Sequence, residues 1–238
     1  TMKRKLWTLL LALGAALALC AGASATDFST GWDEVTNSTI TLESGRQYYL
    51  NNDVTVSQTI TVSGTVTLDL NGNVLKYKSA DKGSVIKVES GGHLTIQDSC
   101  KDDTTAVHKF DTTNDLWVLN DNPPEGKAET IQGGVITGGT GTQWDQYYRG
   151  GGVYVAPGGT LTMESGSIVG CSANGNGLSL GGGVYLDSSA NSNAGTFTMN
   201  GGSIIGCTAD GGGGVLVALE CHFTMNTGAV IRSCTAQM

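Results

Sequence analysis

Three consecutive glycines begin a stretch that occurs three times in the second half of the chain. The copies start at Gly150, Gly181 and Gly212, so the period is 31 residues in both intervals. A fixed period of this size is typical of repeat proteins, in which each repeat buries its apolar residues only against its neighbours. The repeat therefore constrains the possible folds more strongly than any local pattern in the sequence.

Each repeat contains three short apolar runs that are separated by glycine-rich corners. In the first copy the runs read GVYV, LTM and GSI. Runs of this length that are rich in Val, Ile, Thr and aromatic residues are typical of strands and are too short for helices. Three strands with three turns make one coil, and stacked coils place equivalent strands in parallel, roughly 4.8 Å apart. The sequence predicts an all-β fold, a parallel β-helix with three short strands per coil.

The alignment of the repeats also predicts which apolar side chains stack inside the coils. One inward stack is predicted from Ile136, Ile168, Ile204 and Val230. The last repeat has one extra residue, which the alignment places at Arg232 and Ser233 as a bulge in the final coil.

A second predicted stack consists of thiols. Its members are Cys171, Cys207 and Cys234. Free cysteines pack well as small buried residues, and a disulfide between neighbouring coils is an alternative because adjacent strands lie only about 4.8 Å apart. Tetrahedral metal binding needs ligands that converge rather than lie in a line, so neither a metal site nor a cofactor is predicted.

The start of the chain has the three parts of a secretory signal peptide. Basic residues from Lys3 to Lys5 precede an apolar run from Leu6 to Leu19, and Ala23-Ser24-Ala25 is typical of a cleavage site. We therefore expect residues 1–25 to be removed on export and the protein to be secreted or held on the cell surface.

The rest of the chain divides into three parts. Residues 26–58 are interpreted as an N-terminal cap or an irregular first coil, and residues 59–238 as the β-helix. A polar insertion at about 99–128 separates the second and third strands of one coil, and it is either a functional loop or a spacer. We expect further coils or an anchor domain to follow residue 238, and no membrane span in the mature chain.

The charge of the chain narrows the choice of partners. The net charge is −8, from 13 basic and 21 acidic residues, and loss of the three basic residues of the signal peptide would bring it near −11. An acidic protein of this kind is not expected to bind nucleic acid or anionic membranes. Neutral glycans and cations remain compatible with it.

An aromatic loop between two coils is the strongest candidate for a binding site. It comprises five residues of the segment TGTQWDQYYR, namely Trp144, Asp145, Tyr147, Tyr148 and Arg149. Sugar rings stack their C–H faces on aromatic side chains, so this loop, together with Trp117 of the insertion, is a candidate site for a glycan or a host surface. The alternative is that these rings only cover the edge of a coil.

No catalytic residue is predicted. A glycoside hydrolase needs two facing carboxyl groups, and a calcium-dependent lyase needs several carboxylates around the ion. Asp102 and Asp103 are adjacent but lie in the polar insertion, and no acidic residue recurs at one position of the glycine-rich coils.

Several motifs carry a resemblance to a known group of proteins. These are FTMNGGSI followed by CTA and GGGV, and the earlier TVTLDLNG and GGHLTIQD. The chain resembles the right-handed parallel β-helix repeat proteins of bacterial surfaces and, more loosely, polymorphic outer-membrane-protein and adhesin-like repeats with a pectin-lyase-like fold. In those repeats an Asn commonly follows the GGxI motif, whereas here a cysteine takes its place.

The resemblance implies a right-handed β-helix and a surface role. We expect a non-catalytic, adhesin-like binding or stalk function, plausible partners being an extracellular glycan or a host surface. Because the same scaffold carries different activities, two alternatives stay open. They are a polysaccharide lyase or glycoside hydrolase, and a passive spacer that presents another domain.

Overall fold

The computed structural model describes residues 27–175, 177–189 and 193–237, and the predicted signal peptide lies outside these ranges. Within them the chain is all-β except for a short 3-10 helix at Thr113–Asp115. A strand β1 (Trp32–Glu34) precedes six coils of three strands each.

The first two coils are regular. The first consists of β2 (Thr41–Leu42), β3 (Arg46–Tyr49) and β4 (Val54–Val56), and the second of β5 (Ile60–Val62), β6 (Thr65–Asp69) and β7 (Val74–Tyr77). The third begins with β8 (Ile86–Val88) and β9 (His93–Gln97). It continues through the insertion strands β10 (Val107–Asp111), β11 (Val118–Leu119) and β12 (Ala128–Gln132) to β13 (Val135–Thr137).

One or two extra strands at one corner lead into each of the last three coils. For the fourth coil they are β14 (Thr142–Trp144) and β15 (Tyr147–Arg149), and the coil itself consists of β16 (Val153–Val155), β17 (Thr160–Met163) and β18 (Ser167–Val169). For the fifth coil the extra strand is β19 (Ser179–Leu180), and the coil consists of β20 (Val184–Leu186), β21 (Thr196–Met199) and β22 (Ser203–Ile205). For the sixth coil it is β23 (Thr208–Ala209), the coil consists of β24 (Val215–Val217), β25 (His222–Met225) and β26 (Val230–Arg232), and β27 (Thr235–Ala236) follows it.

Equivalent strands of successive coils form three parallel sheets. Sheet I is β2-β5-β8-β16-β20-β24, sheet II is β1-β3-β6-β9-β17-β21-β25, and sheet III is β4-β7-β13-β18-β22-β26. The register is that of the repeats, since Val153 pairs with Val184 and Val184 pairs with Val215. The predicted parallel β-helix is therefore confirmed. The segment expected to be a cap or an irregular coil supplies β2 to sheet I, β4 to sheet III, and both β1 and β3 to sheet II.

The three glycines of each repeat occupy the corner that leads into sheet I, and each has a different reason to be glycine. The first, at Gly150, has φ of +59°, which side chains disfavour. A Cβ on the second, Gly151, would overlap the backbone carbonyls of Ser172 and Gly182. A Cβ on the third, Gly152, would lie 2.5 Å from Cγ2 of Ile168. The motif thus lets neighbouring coils approach closely at this corner.

The isoleucine stack runs through sheet III, with one correction. Ile136 pairs with Ile168 and Ile168 with Ile204, and all three are fully buried. The prediction of Val230 as the next member is wrong, because Ile204 pairs with Ile231 while Val230 pairs with Ser203 and is 43% exposed. The extra residue of the last repeat lies in the turn before β26 and not at Arg232 and Ser233, so it shifts the strand by one position.

The three repeat cysteines lie at the corner between sheets III and I. All are free thiols; Cys171 and Cys207 are buried and Cys234 is partly buried. Each Sγ lies 3.3–3.9 Å from a carbonyl two residues back and from one of the preceding coil. Burial raises the pKa of the Cys207 thiol, which keeps it neutral and lets it pack as an apolar group.

The insertion folds into a small antiparallel sheet that covers sheet III. It extends to Gln132, because β12 pairs with β10 along its whole length. Its side chains Phe110, Trp117 and Ile131 form a buried cluster with outward-facing residues of sheet III, which include Val169 and Ile205. We call residues 99–132 the flap.

A charged side chain in the isoleucine stack should unfold the coils. Ile204→Asp would bury an unpaired carboxylate, which costs several kcal/mol or forces the group to stay neutral. We expect the free energy of unfolding in a urea titration to fall by about 3 kcal/mol or more. The matched control is Thr198→Asp in the same coil, whose side chain faces solvent and should change stability by less than about 1 kcal/mol. Equal effects of the two substitutions would contradict this placement.

Candidate functional site

The aromatic loop of the sequence forms a β-hairpin at the corner between sheets III and I. Strands β14 and β15 pair antiparallel, with Trp144 opposite Tyr147 and Thr142 opposite Arg149. Asp145 is exposed at the turn with φ of +53°, a conformation that Asp tolerates better than most residues. The hairpin is held to the next coil because β15 pairs in parallel with β19. It therefore has a fixed position on the β-helix.

Trp144 is the most exposed aromatic residue of this hairpin, with 63% of its surface accessible. Its neighbours across the hairpin lie on the same side. The guanidinium carbon of Arg149 lies 6.0 Å from the Trp144 ring centre and 5.6 Å from that of Tyr147. These distances fit cation–π contacts, which favour a fixed arrangement of the rings around the charge.

A buried ion pair anchors Arg149 to the β-helix. Its Nη1 donates to Oδ2 of Asp187 at 2.8 Å, and the two side chains are only 15% and 13% exposed. The hydroxyl of Tyr154 donates to the same carboxylate oxygen at 2.7 Å. Burial and the adjacent Asp187 carboxylate raise the pKa of Tyr154, so this hydroxyl stays protonated and remains a donor. Each charge of the pair needs the other, because removal of one partner would leave the other buried and unpaired, which destabilises the fold.

The base of the hairpin covers an aromatic stack on the outer face of sheet I. Tyr154 and Tyr185 pair in adjacent coils, with ring centres 6.0 Å apart, and both are 4% exposed. The Arg149 guanidinium lies 5.2 Å from the Tyr185 ring. Its Nε is buried and has no hydrogen-bond acceptor among the described residues, so rings rather than acceptors surround that side of the charge.

The remaining candidates of the loop do not lie beside Trp144. Tyr148 is on the opposite side of the hairpin, where a Cβ on Gly175 would overlap its ring. Its ring therefore packs on the neighbouring loop. Of the five residues that the sequence grouped together, the structure brings Trp144, Tyr147 and Arg149 onto one side, with Asp145 at the tip.

Trp117 is not part of this site. It is 7% exposed and packs inside the flap cluster, so burial leaves little of its ring accessible for the predicted glycan contact. A Cβ on Gly206 would overlap its ring, and the Arg232 guanidinium lies 5.2 Å from the ring centre. The indole fills the space that the glycine leaves on the outer face of sheet III.

Sequence reasoning missed Tyr154, Tyr185 and Asp187. The repeat contains a signal for the first two, because the Tyr of GVYV and GVYL alternates with inward valines and must face outward. Two outward tyrosines on adjacent coils require a cover, and the nearest extra segment in the chain is the hairpin. The role of Asp187 depends on the position of Arg149 in space and has no local signal.

The buried carboxylates near the flap have structural roles. Oδ1 of Asp69 accepts from the amides of Asn71 and Ser99, at 2.8 and 3.0 Å. The two oxygens of Asp98 accept from the amides of Gly72 and Gly134, at 2.7 and 2.6 Å. Burial raises the pKa of Asp98, and the amide donors counteract this by stabilising its charged form. These carboxylates hold turns in place.

Two further observations apply to the part of the chain that the structure describes. Its His, Cys, Asp and Glu side chains form no group of three or more that could hold a metal ion. It also has no helix with the length and hydrophobicity needed to cross a bilayer.

Comparison of the chain with protein-family models, with curated proteins and with solved structures gives no match. The fold is therefore established here from strand pairing, and the function has to be argued from the site itself.

The packing of the flap on sheet III should depend on Trp117. We expect Trp117→Ala to lower the free energy of unfolding by about 3 kcal/mol, because a large buried ring leaves a cavity that the flap cannot fill. Hydrogen exchange followed by mass spectrometry should show faster exchange in β10 and β12. The matched control is Trp144→Ala, which removes an exposed ring and should leave flap exchange unchanged. Unchanged protection of the flap in the Trp117 variant would contradict its role in the cluster.

Proposed function

We propose that this chain is the β-helix of an exported surface protein of the bacterial β-helix repeat type, which acts by binding glycans. The leader-like start of the sequence and its resemblance to bacterial surface repeats support export and surface display. The partner class is a neutral extracellular glycan, because the chain carries a net charge of −8.

The observation that carries the proposal is the exposed Trp144 on an anchored support. An exposed large ring is unusual where neighbouring aromatic residues are buried, and Tyr154 and Tyr185 in the same cluster are 4% exposed. The base of the hairpin therefore covers the coil edge, while its outer ring is left for another molecule. One face of an indole ring suits the C–H face of a sugar.

The support of Trp144 is held in place by a network of contacts, which favours binding of a ligand to the ring. Arg149 is held by Asp187, and Asp187 also accepts from Tyr154 and from the amide of Ser188 at 2.9 Å. A preorganised ring loses little conformational freedom when a ligand stacks on it. The carboxylate of Asp145 is exposed at the tip of the same hairpin and provides a hydrogen-bonding group near the ring.

Glycan-array screening of the purified chain tests the proposal. We expect binding to one or more neutral glycans, and a loss of about tenfold in affinity for Trp144→Ala, which corresponds to about 1.4 kcal/mol. Asp187→Asn should weaken binding in the same direction, since it removes the charge that positions Arg149. Asn52→Ala, an exposed change at the corner between sheets II and III, is the control and should bind normally.

Three other results would contradict the proposal. Absence of binding to any glycan would favour the passive spacer. Release of unsaturated or reducing sugars from a polysaccharide would favour a lyase or a glycoside hydrolase. Full binding by the Trp144 variant would show that a different surface holds the glycan.

A further inference from the structure

Two cysteines of the thiol stack lie opposite each other in the last two coils. β22 pairs with β26 just before them and β23 pairs with β27 just after them, both with the same offset, so Cys207 lies opposite Cys234. The amide of Thr235 donates to the carbonyl of Cys207 at 2.9 Å, which holds the two backbones together at this point. Neighbouring parallel strands lie about 4.8 Å apart, a Cα separation that a disulfide spans. The two free thiols are therefore close enough to be joined.

The two thiols differ in burial and in acidity. Cys207 has 0% of its surface exposed, whereas Cys234 is only partly buried. A hydrogen bond from the Cys207 thiol lowers the pKa of Cys234 to about 7 against the opposing effect of burial, and the positive charge of Arg232 also lowers it. Burial raises the pKa of Cys207. Near neutral pH, much of Cys234 is therefore the nucleophilic thiolate, while Cys207 keeps its proton.

Cys234 lines a groove between the flap and the last coil. The groove has a volume of about 450 Å³, and the flap contributes Trp117, Lys127 and Glu129 to its wall. A groove of this size accommodates a small organic molecule. A molecule in the groove can thus reach the Cys234 sulfur, whereas Cys207 lies behind it and out of contact with solvent.

Cys221, in the same coil as Cys234, shows that partial exposure alone does not make a thiol reactive. It is also a free and partly buried thiol. Its Sγ donates to the carbonyl of Asp187 at 3.2 Å, and burial raises its pKa. Reactive cysteines are partly exposed and lie in surroundings that favour the thiolate. Cys234 meets both conditions, because it faces the groove and has a thiol donor and a guanidinium beside it.

We propose that Cys234 and Cys207 form a dithiol site that exchanges with small organic disulfides in this groove. The Cys234 thiolate attacks one sulfur of the ligand, whose S–S bond breaks, and the first ligand thiolate leaves and takes a proton from water. Cys207 then loses its proton to water and attacks the Cys234 sulfur, which releases the second ligand thiolate. The two protein thiols are oxidised to one disulfide, and the ligand is reduced to two thiols.

The product disulfide links the fifth coil to the sixth, because Cys207 lies between β22 and β23 and Cys234 between β26 and β27. The site is separate from the hairpin around Trp144 and does not depend on glycan binding. Cys171, the third member of the stack, is 1% exposed and has no part in the reaction.

Reaction of the reduced chain with glutathione disulfide tests this proposal. Trypsin cleaves after Arg232 and so separates Cys234 from Cys207 and Cys221, which share the preceding tryptic peptide. We expect mass spectrometry with fragmentation to find a cross-link between Cys207 and Cys234, with two glutathione molecules released for each cross-link. In the folded chain Cys234 should react at least about fivefold faster than Cys221, because more of it is thiolate. This difference should disappear in denaturant.

Three variants assign the roles of the thiols. Cys207→Ala should stop at the mixed disulfide of Cys234 with glutathione and should form it more slowly, because the hydrogen bond from Cys207 is lost. Cys234→Ala should leave Cys207 reduced. Cys221→Ala is the matched control and should form the same cross-link at the same rate. Circular dichroism and the melting temperature check that each variant is folded, and the mapping on the unmodified chain does not depend on them.

Three results would overturn the proposal. The first is a folded chain in which Cys234 does not react, or reacts no faster than Cys221. The second is a mixed disulfide that persists on Cys234 while Cys207 is present, since Cys207 would then not resolve it. The third is a cross-link of Cys207 with Cys171 instead of Cys234.

Discussion

In-register pairing of equivalent strands is the interaction on which the rest of the structure depends. No coil of this protein has a core of its own, because each contributes only a few inward residues from three short strands. The coils become stable when each backbone pairs with the next and like side chains meet, as they do for Ile136, Ile168 and Ile204. The glycine triplets make this close approach possible at one corner.

The three outer faces of the β-helix then acquire different properties from segments that leave the coils. The flap inserts Trp117 and Phe110 over sheet III, which makes that face part of a second hydrophobic cluster. The hairpin covers the tyrosines of sheet I and exposes Trp144. Sheet II has no such covering cluster in the described ranges. A regular scaffold thus carries three outer faces of different character.

The repeat made most of the fold predictable from sequence, because one alignment defines the strands, their register and their inward residues. The alignment failed at Val230, where a single additional residue lies in a turn and the correct register depends on which turn absorbs it. The burial of Trp117 was not predictable, since it depends on how the flap docks onto glycines of later coils. The site was predictable in part. The aromatic segment that contains Trp144 is evident in the sequence, whereas the pairing of Asp187 with Arg149 is recognisable only in three dimensions.

The stacking of coils can be tested most directly by nuclear Overhauser effects between valine methyl groups. In a sample with selectively labelled valine methyls, the account predicts cross-peaks between Val153 and Val184 and between Val184 and Val215, because these pairs lie on adjacent strands about 4.8 Å apart. It predicts no cross-peak between Val153 and Val215, which are two strands apart. Absence of the first two cross-peaks in the folded protein would contradict the β-helix and every surface assigned to it.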